Sequence, residues 1–217
     1  MKDKREFISF MTGAGVLTFG DFVTKSGRKT PYFINTGNYR TGSQLARLGD
    51  WYAQSIEESG EAFDALFGPA YKGIPLAASA ASSLYRIYGR DVPYCFNRKE
   101  IKDHGEGGGI VGYKPKDGDR IAIIEDVVTA GTAVRESLAF LAGVADVKVT
   151  ALFVSVDRME RGTGSLSALD ELRETLGIRV HPIITVRDII DSFPADDPRR
   201  AAMESYLAQY GAEASGA

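Results

Sequence analysis

The most informative stretch of the sequence is Ile121-Ala122-Ile123-Ile124-Glu125-Asp126-Val127-Val128-Thr129-Ala130-Gly131-Thr132-Ala133. Its apolar start predicts a buried strand that ends in two adjacent carboxylates, and small and hydroxylated residues then lead into a predicted helix. The unpaired amides at a helix start, together with the positive end of the helix macrodipole, favour a phosphate group. The stretch therefore predicts a phosphate-binding loop. The plainer alternative is an ordinary helix cap after a strand that ends at the surface.

The residues of this loop differ in what they are expected to contribute. Thr129 and Thr132 can donate hydroxyl hydrogen bonds, and Gly131 lets the backbone approach an anion without an intervening side chain. Glu125 and Asp126 would repel a phosphate that they faced, so their expected partners are hydroxyl groups or a hydrated metal. Carboxylates beside a phosphate cradle indicate a ribose phosphate. The sequence has no Walker-type Gly-x-x-x-x-Gly-Lys-Ser/Thr loop, which argues against many kinases and ATPases.

Short apolar runs alternate with helical patterns on both sides of this stretch. The runs that predict buried strands are residues 65–67, 94–96, 121–124, 147–156 and 179–186, and the intervening helices are predicted at residues 74–88, 132–141 and 166–176. Strands that alternate with helices predict βαβ units and a mostly parallel sheet covered on both faces. The predicted fold class is α/β, and ligands are expected beyond the carboxyl ends of the strands.

The remaining segments predict one domain with a small N-terminal part. Residues 4–11 predict a short helix, residues 19–38 an extended chain with a turn that forms a cap beside the sheet, and residues 44–58 another helix. The expected division is a hood at residues 1–40, a core at about 41–192, and a C-terminal helix and tail at 193–217.

Composition limits the classes of function. The 217 residues are 44% hydrophobic and 25% charged, which fits one globular domain. The net charge of -3 gives no global reason to expect nucleic-acid binding. The single cysteine, Cys95, is expected to be a buried strand thiol. No apolar stretch approaches the length of a membrane span, so we expect a soluble, cytoplasmic protein without nucleic-acid or membrane partners.

The stretch at residues 121–133 resembles the phosphoribosyl pyrophosphate (PRPP) motif of type I phosphoribosyltransferases. The resemblance implies a Rossmann-like parallel sheet flanked by helices, with a small hood. It also implies that residues 127–133 hold the 5-phosphate and that Glu125 and Asp126 hold the ribose hydroxyls, with Asp126 among the catalytic residues.

Two further segments indicate the orotate branch of that family. Lys25-Ser26-Gly27-Arg28 followed by Pro31-Tyr32-Phe33-Ile34 resembles its N-terminal signature, and Asp157-Arg158-Met159-Glu160-Arg161-Gly162 resembles its orotate-binding segment. Orotate has a carboxylate and a planar ring, which call for a cation and flat walls. The resemblance implies that Lys25 contacts both substrates and takes part in catalysis, and that orotate is bound by Phe33, Ile34, Thr129 and Arg158. A solvated turn for Lys25 and an ion pair at a helix start for Arg158 are the alternatives.

Two basic segments are the expected pyrophosphate side of the site. Phe67-Gly68-Pro69-Ala70-Tyr71-Lys72-Gly73 places a cation directly after a buried strand, and Asn97-Arg98-Lys99-Glu100-Ile101-Lys102-Asp103-His104 leads into a Gly-rich run that predicts a mobile basic lid. The resemblance implies that PRPP is bound by Tyr71, Lys72, Arg98, Lys99, Lys102 and His104. It further implies a homodimer in which the lid loop 98–112 reaches the neighbouring active site. An ordinary surface loop is the alternative.

The implied reaction is displacement of pyrophosphate at the anomeric carbon of PRPP by a ring nitrogen of orotate. Charge stabilisation matters more than a covalent nucleophile in such a reaction. Mg²⁺ is expected to be held through the pyrophosphate and not by direct protein ligands, and Lys102 or His104 is a candidate proton donor. Two rivals remain: a phosphoribosyltransferase for a purine or uracil, and a regulatory binding protein with the same fold, which the net acidity and the lid cations disfavour.

Overall fold

The computed structural model describes residues 3–24, 27–99, 109–128, 131–162 and 164–212. Its elements in chain order are α1 (Lys4–Gly13), β1 (Leu17–Val23), β2 (Lys29–Ile34), a 3-10 turn (Thr36–Asn38), α2 (Gly42–Ser59), β3 (Ala65–Phe67), α3 (Gly73–Tyr88), β4 (Tyr94–Asn97), β5 (Ile110–Gly112), β6 (Arg120–Val127), α4 (Thr132–Ala142), β7 (Lys148–Asp157), α5 (Ala168–Leu176), β8 (Arg179–Thr185), α6 (Val186–Asp191) and α7 (Pro198–Tyr210). None of the helices within these ranges has the length and apolar character that crossing a membrane requires.

The main sheet has six strands in the order β5-β4-β3-β6-β7-β8. All neighbouring pairs are parallel except β4 and β5, which are antiparallel. The first two strands, β1 and β2, form a separate antiparallel hairpin. These features confirm the predicted α/β class with a mostly parallel sheet and an N-terminal cap.

Alternation along β6 shows why helices cover both faces of the sheet. Ala122 and Ile124 belong to one buried cluster, whereas Ile121 and Ile123 belong to the other, as the period of two in a strand requires. The first cluster takes in residues from α1, α2, α3, α6 and α7, including Phe7, Trp51, Leu84, Ile189 and Met203. The second takes in α4 and α5 through Val134, Leu141 and Leu172.

Local signals set the ends of the helices. At the start of α2, the Thr41 hydroxyl and the Gln44 side chain form a reciprocal capping box. At its end, Gly60 adopts a left-handed conformation with φ of +64°, which a glycine reaches without steric cost.

The structure changes several details of the sequence-based prediction. Strand β6 continues to Val127, beyond the predicted apolar run 121–124, and the two carboxylates lie at its end as expected. The predicted lid 98–112 is wrong at its C-terminal end, because residues 110–112 form the edge strand β5, which pairs with β4. Helix α6 was not predicted. The strand expected at 179–186 included Val186, which is the first residue of this helix. Cys95 is fully buried, as expected, and burial raises the pKa of its thiol to about 12.

The first helix, α1, shares the core of the main sheet. Phe7 lies 5.2 Å from Trp51, ring centre to ring centre, and both residues are buried. The β1–β2 hairpin also contributes to this core, through Leu17 and Tyr32, although its strands form a sheet of their own. The division of the chain at residues 40 and 192 stays a prediction.

Candidate active site

The site is built around the carboxyl end of β6, where Glu125 and Asp126 are each 8% exposed. Two side chains from neighbouring elements fix the backbone at this point. Tyr52 of α2 donates its hydroxyl to the Glu125 carbonyl oxygen at 2.7 Å, and Ser155 of β7 donates to the Asp126 carbonyl oxygen at 2.7 Å. The strand end is thus held by hydrogen bonds from both sides.

Asp126 lies at the centre of a small polar cluster. Its Oδ2 atom accepts hydrogen bonds from the Thr36 hydroxyl and from Lys72 Nζ, the latter at 2.9 Å. Lys72 Nζ also donates to Thr36 Oγ1 at 3.2 Å. Burial alone would raise the pKa of the Asp126 carboxyl, but the hydrogen bonds from Thr36 and Lys72 outweigh burial and hold the pKa below its usual value. Asp126 is therefore a carboxylate at neutral pH.

Glu125 has the opposite character. Its Oε1 atom accepts a hydrogen bond from the backbone N–H of Asp126 at 3.0 Å. Burial is the largest effect on this group, and with the neighbouring charge of Asp126 it raises the pKa of Glu125 to about 8. The adjacent acids thus carry mainly one negative charge at neutral pH, on Asp126, and the protonated Glu125 can donate as well as accept a hydrogen bond.

The loop between β3 and α3 brings Lys72 to this cluster. A Cβ atom on Gly68 would lie 2.2 Å from the Gly73 carbonyl oxygen, and one on Gly73 would lie 2.6 Å from Pro69 Cδ. Both positions therefore need glycine, because the loop folds tightly back on itself. Asn97 supports the loop by accepting a hydrogen bond from the backbone N–H of Ala70 at 2.8 Å.

Beyond this loop, exposed cations gather at the end of β4. The Tyr71 side chain is 64% exposed, and Lys99 Nζ lies 5.2 Å from the centre of its ring. The backbone N–H of Arg98 donates to the Gly109 carbonyl oxygen at 2.6 Å, which joins the two ends of the intervening segment. Tyr71, Lys72, Arg98 and Lys99 thus lie at one edge of the sheet.

Helix α4 begins with Gly131 as its N-cap, in a left-handed conformation with φ of +71°. A Cβ atom there would lie 3.9–4.0 Å from side-chain atoms of Leu172 and Ala168, which is ordinary van der Waals contact. The left-handed conformation itself favours glycine, and the expected close approach of an anion at this residue stays a prediction. Glycine has no side chain to cap the helix, so the amides of Thr132 and Ala133 keep their capacity to bind an anion.

A cleft of about 500 Å³ opens beside the polar cluster. Its lining includes Thr36, Tyr39, Arg40, Tyr52, Tyr71, Lys72, Asp126 and Ser155. Another cavity of about 560 Å³ lies between the hairpin and α7. We assign the site to the first because it contains the Asp126 carboxylate and Lys72, whereas the lining of the second does not include them.

The segment after β7 forms a second polar group around Tyr32. Arg158 donates from Nε and Nη2 to Glu160 Oε1 at 3.0 and 2.6 Å, and Tyr32 donates its hydroxyl to the same oxygen at 2.9 Å. The guanidinium carbon of Arg158 also lies 4.8 Å from the centre of the Tyr32 ring. Arg158 thus forms an ion pair, as the alternative prediction stated. The pair does not lie at a helix start, however, because α5 begins only at Ala168.

Comparison with known proteins identifies the family of this chain. Residues 36–176 match the family described as phosphoribosyl transferase domain. The chain is 51% identical over 220 residues to orotate phosphoribosyltransferase of Clostridium beijerinckii, covering 97% of this chain and 98% of the relative. It is 50% identical over 212 residues to that of Pseudomonas fluorescens, with coverages of 96% and 98%. The chain belongs to the orotate phosphoribosyltransferase family.

A solved structure of an orotate phosphoribosyltransferase supports the same assignment. The crystal structure of the enzyme from Francisella tularensis superimposes with a TM-score of 0.88 at 36% identity, covering 98% of each chain. This match, which extends over nearly the whole length, includes the hairpin and α7 as well as the main sheet. The fold expected from the resemblance to type I phosphoribosyltransferases is thereby confirmed.

The structure brings together some of the site residues that the sequence predicts for an orotate phosphoribosyltransferase. Tyr71, Lys72 and Asp126 line one cleft. Val127 and Val128 pack into the two cores, so their expected contribution to PRPP binding can come only from the main chain. Phe33 is 42% exposed and packs on Phe22, with ring centres 5.6 Å apart. Five predicted residues lie outside the described ranges: Lys25, Lys102, His104, Thr129 and Ala130.

Sequence reasoning missed Thr36. It lies in the 3-10 turn after the hairpin and reaches Asp126 across 90 positions of the sequence. The stretch Asn35-Thr36-Gly37-Asn38 gives a turn signal, but a turn signal alone does not distinguish this threonine from others in the chain.

Proposed function

We propose that this chain is an orotate phosphoribosyltransferase, which transfers ribose 5-phosphate from PRPP to orotate and releases pyrophosphate, a step of pyrimidine biosynthesis. The observation that carries the proposal is the polar cluster of Thr36, Lys72 and Asp126 beside the glycine-capped start of α4. A charged carboxylate suits ribose hydroxyls, and the open helix start suits a phosphate. Both features lie at the carboxyl end of β6, where a single ribose phosphate would meet them.

PRPP binding divides between two groups of residues in this proposal. The 5-phosphate is held by the loop after β6, through the main-chain and hydroxyl groups of Val127, Val128, Thr129, Ala130, Gly131, Thr132 and Ala133, while Glu125 and Asp126 hold the ribose hydroxyls. The pyrophosphate is held by Lys25, Tyr71, Lys72, Arg98, Lys99, Lys102 and His104. The exposure of Tyr71 and Lys72 and the contact of Lys99 with Tyr71 support the second group.

Orotate binding is proposed for Lys25, Phe33, Ile34, Thr129 and Arg158. Two of these residues, Phe33 and Ile34, follow Tyr32 directly, and the Tyr32 ring stacks with the Arg158 guanidinium. This contact brings Phe33 and Ile34, the proposed walls for the orotate ring, into the same region as Arg158, the proposed ligand of the orotate carboxylate. A guanidinium is suited to a carboxylate because it can donate two parallel hydrogen bonds.

The chemistry proposed for the site is electrostatic. Displacement at the anomeric carbon builds positive charge on the ribose and negative charge on the leaving pyrophosphate. The Asp126 carboxylate would stabilise the ribose through its hydroxyls, and the cations around Lys72 would stabilise the leaving group. Lys25, Lys102, His104 and Asp126 are the proposed catalytic residues, with Lys102 or His104 giving a proton to the pyrophosphate.

Mg²⁺ is proposed to arrive with PRPP as part of the substrate. Within the part of the chain that the structure describes, no group of three or more His, Cys, Asp or Glu side chains is arranged to hold a metal ion. Asp126 is already bound by Lys72 and Thr36, and burial keeps Glu125 largely protonated. These residues fit a metal held by substrate phosphates and water, where it would neutralise charge on the pyrophosphate.

We further propose a cytoplasmic homodimer in which a lid at residues 98–109 covers the neighbouring active site. The antiparallel pairing of β4 with β5 and the bond from Arg98 to Gly109 support a lid with a fixed base. Closure of such a lid would exclude water from the reaction.

The experiment that tests the proposed function follows the absorbance of orotate after the protein, Mg²⁺ and PRPP are mixed. We expect orotate to be consumed with the release of pyrophosphate, and we expect Lys102→Ala to abolish most of the turnover. Absence of orotate consumption by the wild-type protein would contradict the proposal.

A further inference from the structure

Among the residues that the structure describes, the guanidinium of Arg158 is hydrogen-bonded along one edge only. An arginine can present two parallel donors either side-on, from Nε and Nη2, or end-on, from Nη1 and Nη2. In this chain the side-on donors both bond to Glu160 Oε1, at 3.0 and 2.6 Å. Glu160 therefore fixes the direction in which the end-on edge points.

The carboxylate of Glu160 is itself held in place by Tyr32. The Tyr32 hydroxyl donates to the same Oε1 atom at 2.9 Å, and Tyr32 is fully buried. The Tyr32 ring lies under the guanidinium, with 4.8 Å from the guanidinium carbon to the ring centre. With its side chain only 12% exposed, Arg158 is held by hydrogen bonds along one edge and by a ring against one face.

The backbone around Glu160 is tied to the end of α7. Arg161 donates its backbone N–H to the Tyr210 carbonyl oxygen at 3.0 Å, and Ala212 donates to the Met159 carbonyl oxygen at 2.9 Å. Met159 has a φ of +52°, an uncommon value for a residue with a side chain, and its N–H donates to Asp157 Oδ1 at 2.8 Å. The turn that carries Arg158 and Glu160 is thus braced on both sides of Glu160.

We propose that Glu160 is a positioning residue that determines specificity for a carboxylate-bearing acceptor base. It acts through Arg158, by directing the end-on edge of the guanidinium toward the carboxylate of the base. The inference rests on the proposed function, and specifically on Arg158 as the ligand of orotate. In this proposal the ion pair between Arg158 and Glu160 takes part in substrate recognition, and Tyr32 holds Glu160 in place.

The test compares Glu160→Ala and Glu160→Gln with the wild-type enzyme in steady-state kinetics. We expect Glu160→Ala to raise KM for orotate by about tenfold or more, the effect of misdirecting a charge-assisted hydrogen bond. We expect KM for PRPP and kcat at saturating orotate to change little, whereas Tm should fall because Arg158 and the Tyr32 hydroxyl lose a largely buried partner. Glu160→Gln, which keeps the size and one acceptor oxygen, should give an intermediate KM for orotate and serves if the alanine variant does not fold.

Glu57→Ala is the matched control, because Glu57 pairs with Arg90 at 3.4 Å between the ends of α2 and α3, outside the proposed site. It should leave both KM values unchanged. The inference is overturned if the Glu160 variants leave KM for orotate unchanged. It is also overturned if they lower this KM, which would show that the Glu160 carboxylate competes with the substrate for Arg158, or if they change both KM values and kcat together. A wild-type enzyme that does not consume orotate would instead refute the proposed function.

Discussion

At the scale of single residues, Asp126 and Asp64 form similar ion pairs in different surroundings. Both Asp126 and Asp64 accept hydrogen bonds from a cation, but Asp126 is buried at the carboxyl end of β6, whereas Asp64 pairs with Arg120 at the amino end of that strand. Only the carboxyl end is expected to meet substrate. The same ion-pair chemistry therefore has different consequences at the two ends.

We predict that Asp126→Asn lowers kcat/KM for PRPP by at least about tenfold, because hydrogen bonds to a charged group contribute roughly 1.5–3 kcal/mol. Asp64→Asn, which makes the same chemical change at the opposite end of the strand, should leave kcat/KM within about twofold. Initial rates at varied PRPP test both variants. Equal losses in the two would show that the position of Asp126 in the strand is irrelevant.

The raised pKa of Glu125 predicts a pH dependence of stability. Its usual pKa is 4.5 and its folded value is about 8, so between these values the folded state binds the extra proton. Stability from this group is fully present below about pH 4.5 and is lost as the pH rises toward 8, at up to about 1.4 kcal/mol per pH unit. Glu125→Gln should flatten this slope.

Urea unfolding between pH 5 and pH 8.5 measures the slope for the wild-type protein and for Glu125→Gln. Identical slopes in the two proteins would contradict a buried, protonated Glu125.

Some of these residues could be predicted from the sequence and others could not. Glu125 and Asp126 were found because they interrupt an apolar run immediately before a helix-start signal, which is a local pattern. Thr36 was missed because its partner lies 90 positions away. The difference in charge between Glu125 and Asp126 could not be predicted either. It depends on the burial of both groups and on the contact with Lys72, and only the folded structure defines these.

At the scale of elements, the start of α4 is a glycine with a left-handed backbone. Gly131 has φ of +71° at the proposed phosphate loop, and Gly177 has φ of +62° at the end of α5. A Cβ atom at either position would meet no atom closer than 3.9 Å. The two glycines thus have the same conformational requirement, but only one of them belongs to the proposed site.

We predict that Gly131→Ala and Gly177→Ala each lower the free energy of unfolding by about 1–2 kcal/mol, the cost of a left-handed backbone for a residue with a Cβ atom. Only Gly131→Ala should also raise KM for PRPP, since it alters the amides that face the phosphate. Urea unfolding and PRPP kinetics on both variants test this. An unchanged KM for PRPP in Gly131→Ala would show that the start of α4 is not part of the PRPP site.

Elements with an apolar pattern of their own were predicted well, including the three-residue β3, whereas β5 and α6 were not predicted. The core helices and strands appear within a few residues of their predicted positions because their apolar spacing is sustained. Strand β5 has only three residues and pairs with β4 through its backbone, so it has no pattern of its own. Helix α6 has six residues, and its apolar start continued the pattern of β8.

At the scale of the whole molecule, the sheet order explains how distant segments reach one site. Strands β3, β6 and β7 are neighbours, and the segments that follow them carry Lys72, the phosphate loop and Arg158. The hairpin adds Tyr32, and the 3-10 turn that follows it adds Thr36, from outside the sheet. Parallel strands therefore gather at one edge the motifs that are far apart in sequence.

The proposed exchange of lids between protomers makes a prediction about mixed dimers. If Lys102 acts in the partner's site and Asp126 in its own, then an equal mixture of Lys102→Ala and Asp126→Asn subunits should regain activity. Random reassociation leaves about one quarter of the sites with neither change. Orotate consumption after the two variants are unfolded and refolded together measures the recovery. No recovery above the separate variants would indicate that each site is completed within one chain.

The most direct test of the central claim offers the wild-type protein a panel of acceptor bases: orotate, uracil, adenine and hypoxanthine, each with PRPP and Mg²⁺. Release of pyrophosphate is the measured quantity, since it is common to all four reactions. Our account predicts release with orotate alone, because only this base has a carboxylate for Arg158. Release with another base and not with orotate would make the chain a different phosphoribosyltransferase, and release with none would contradict the proposed activity.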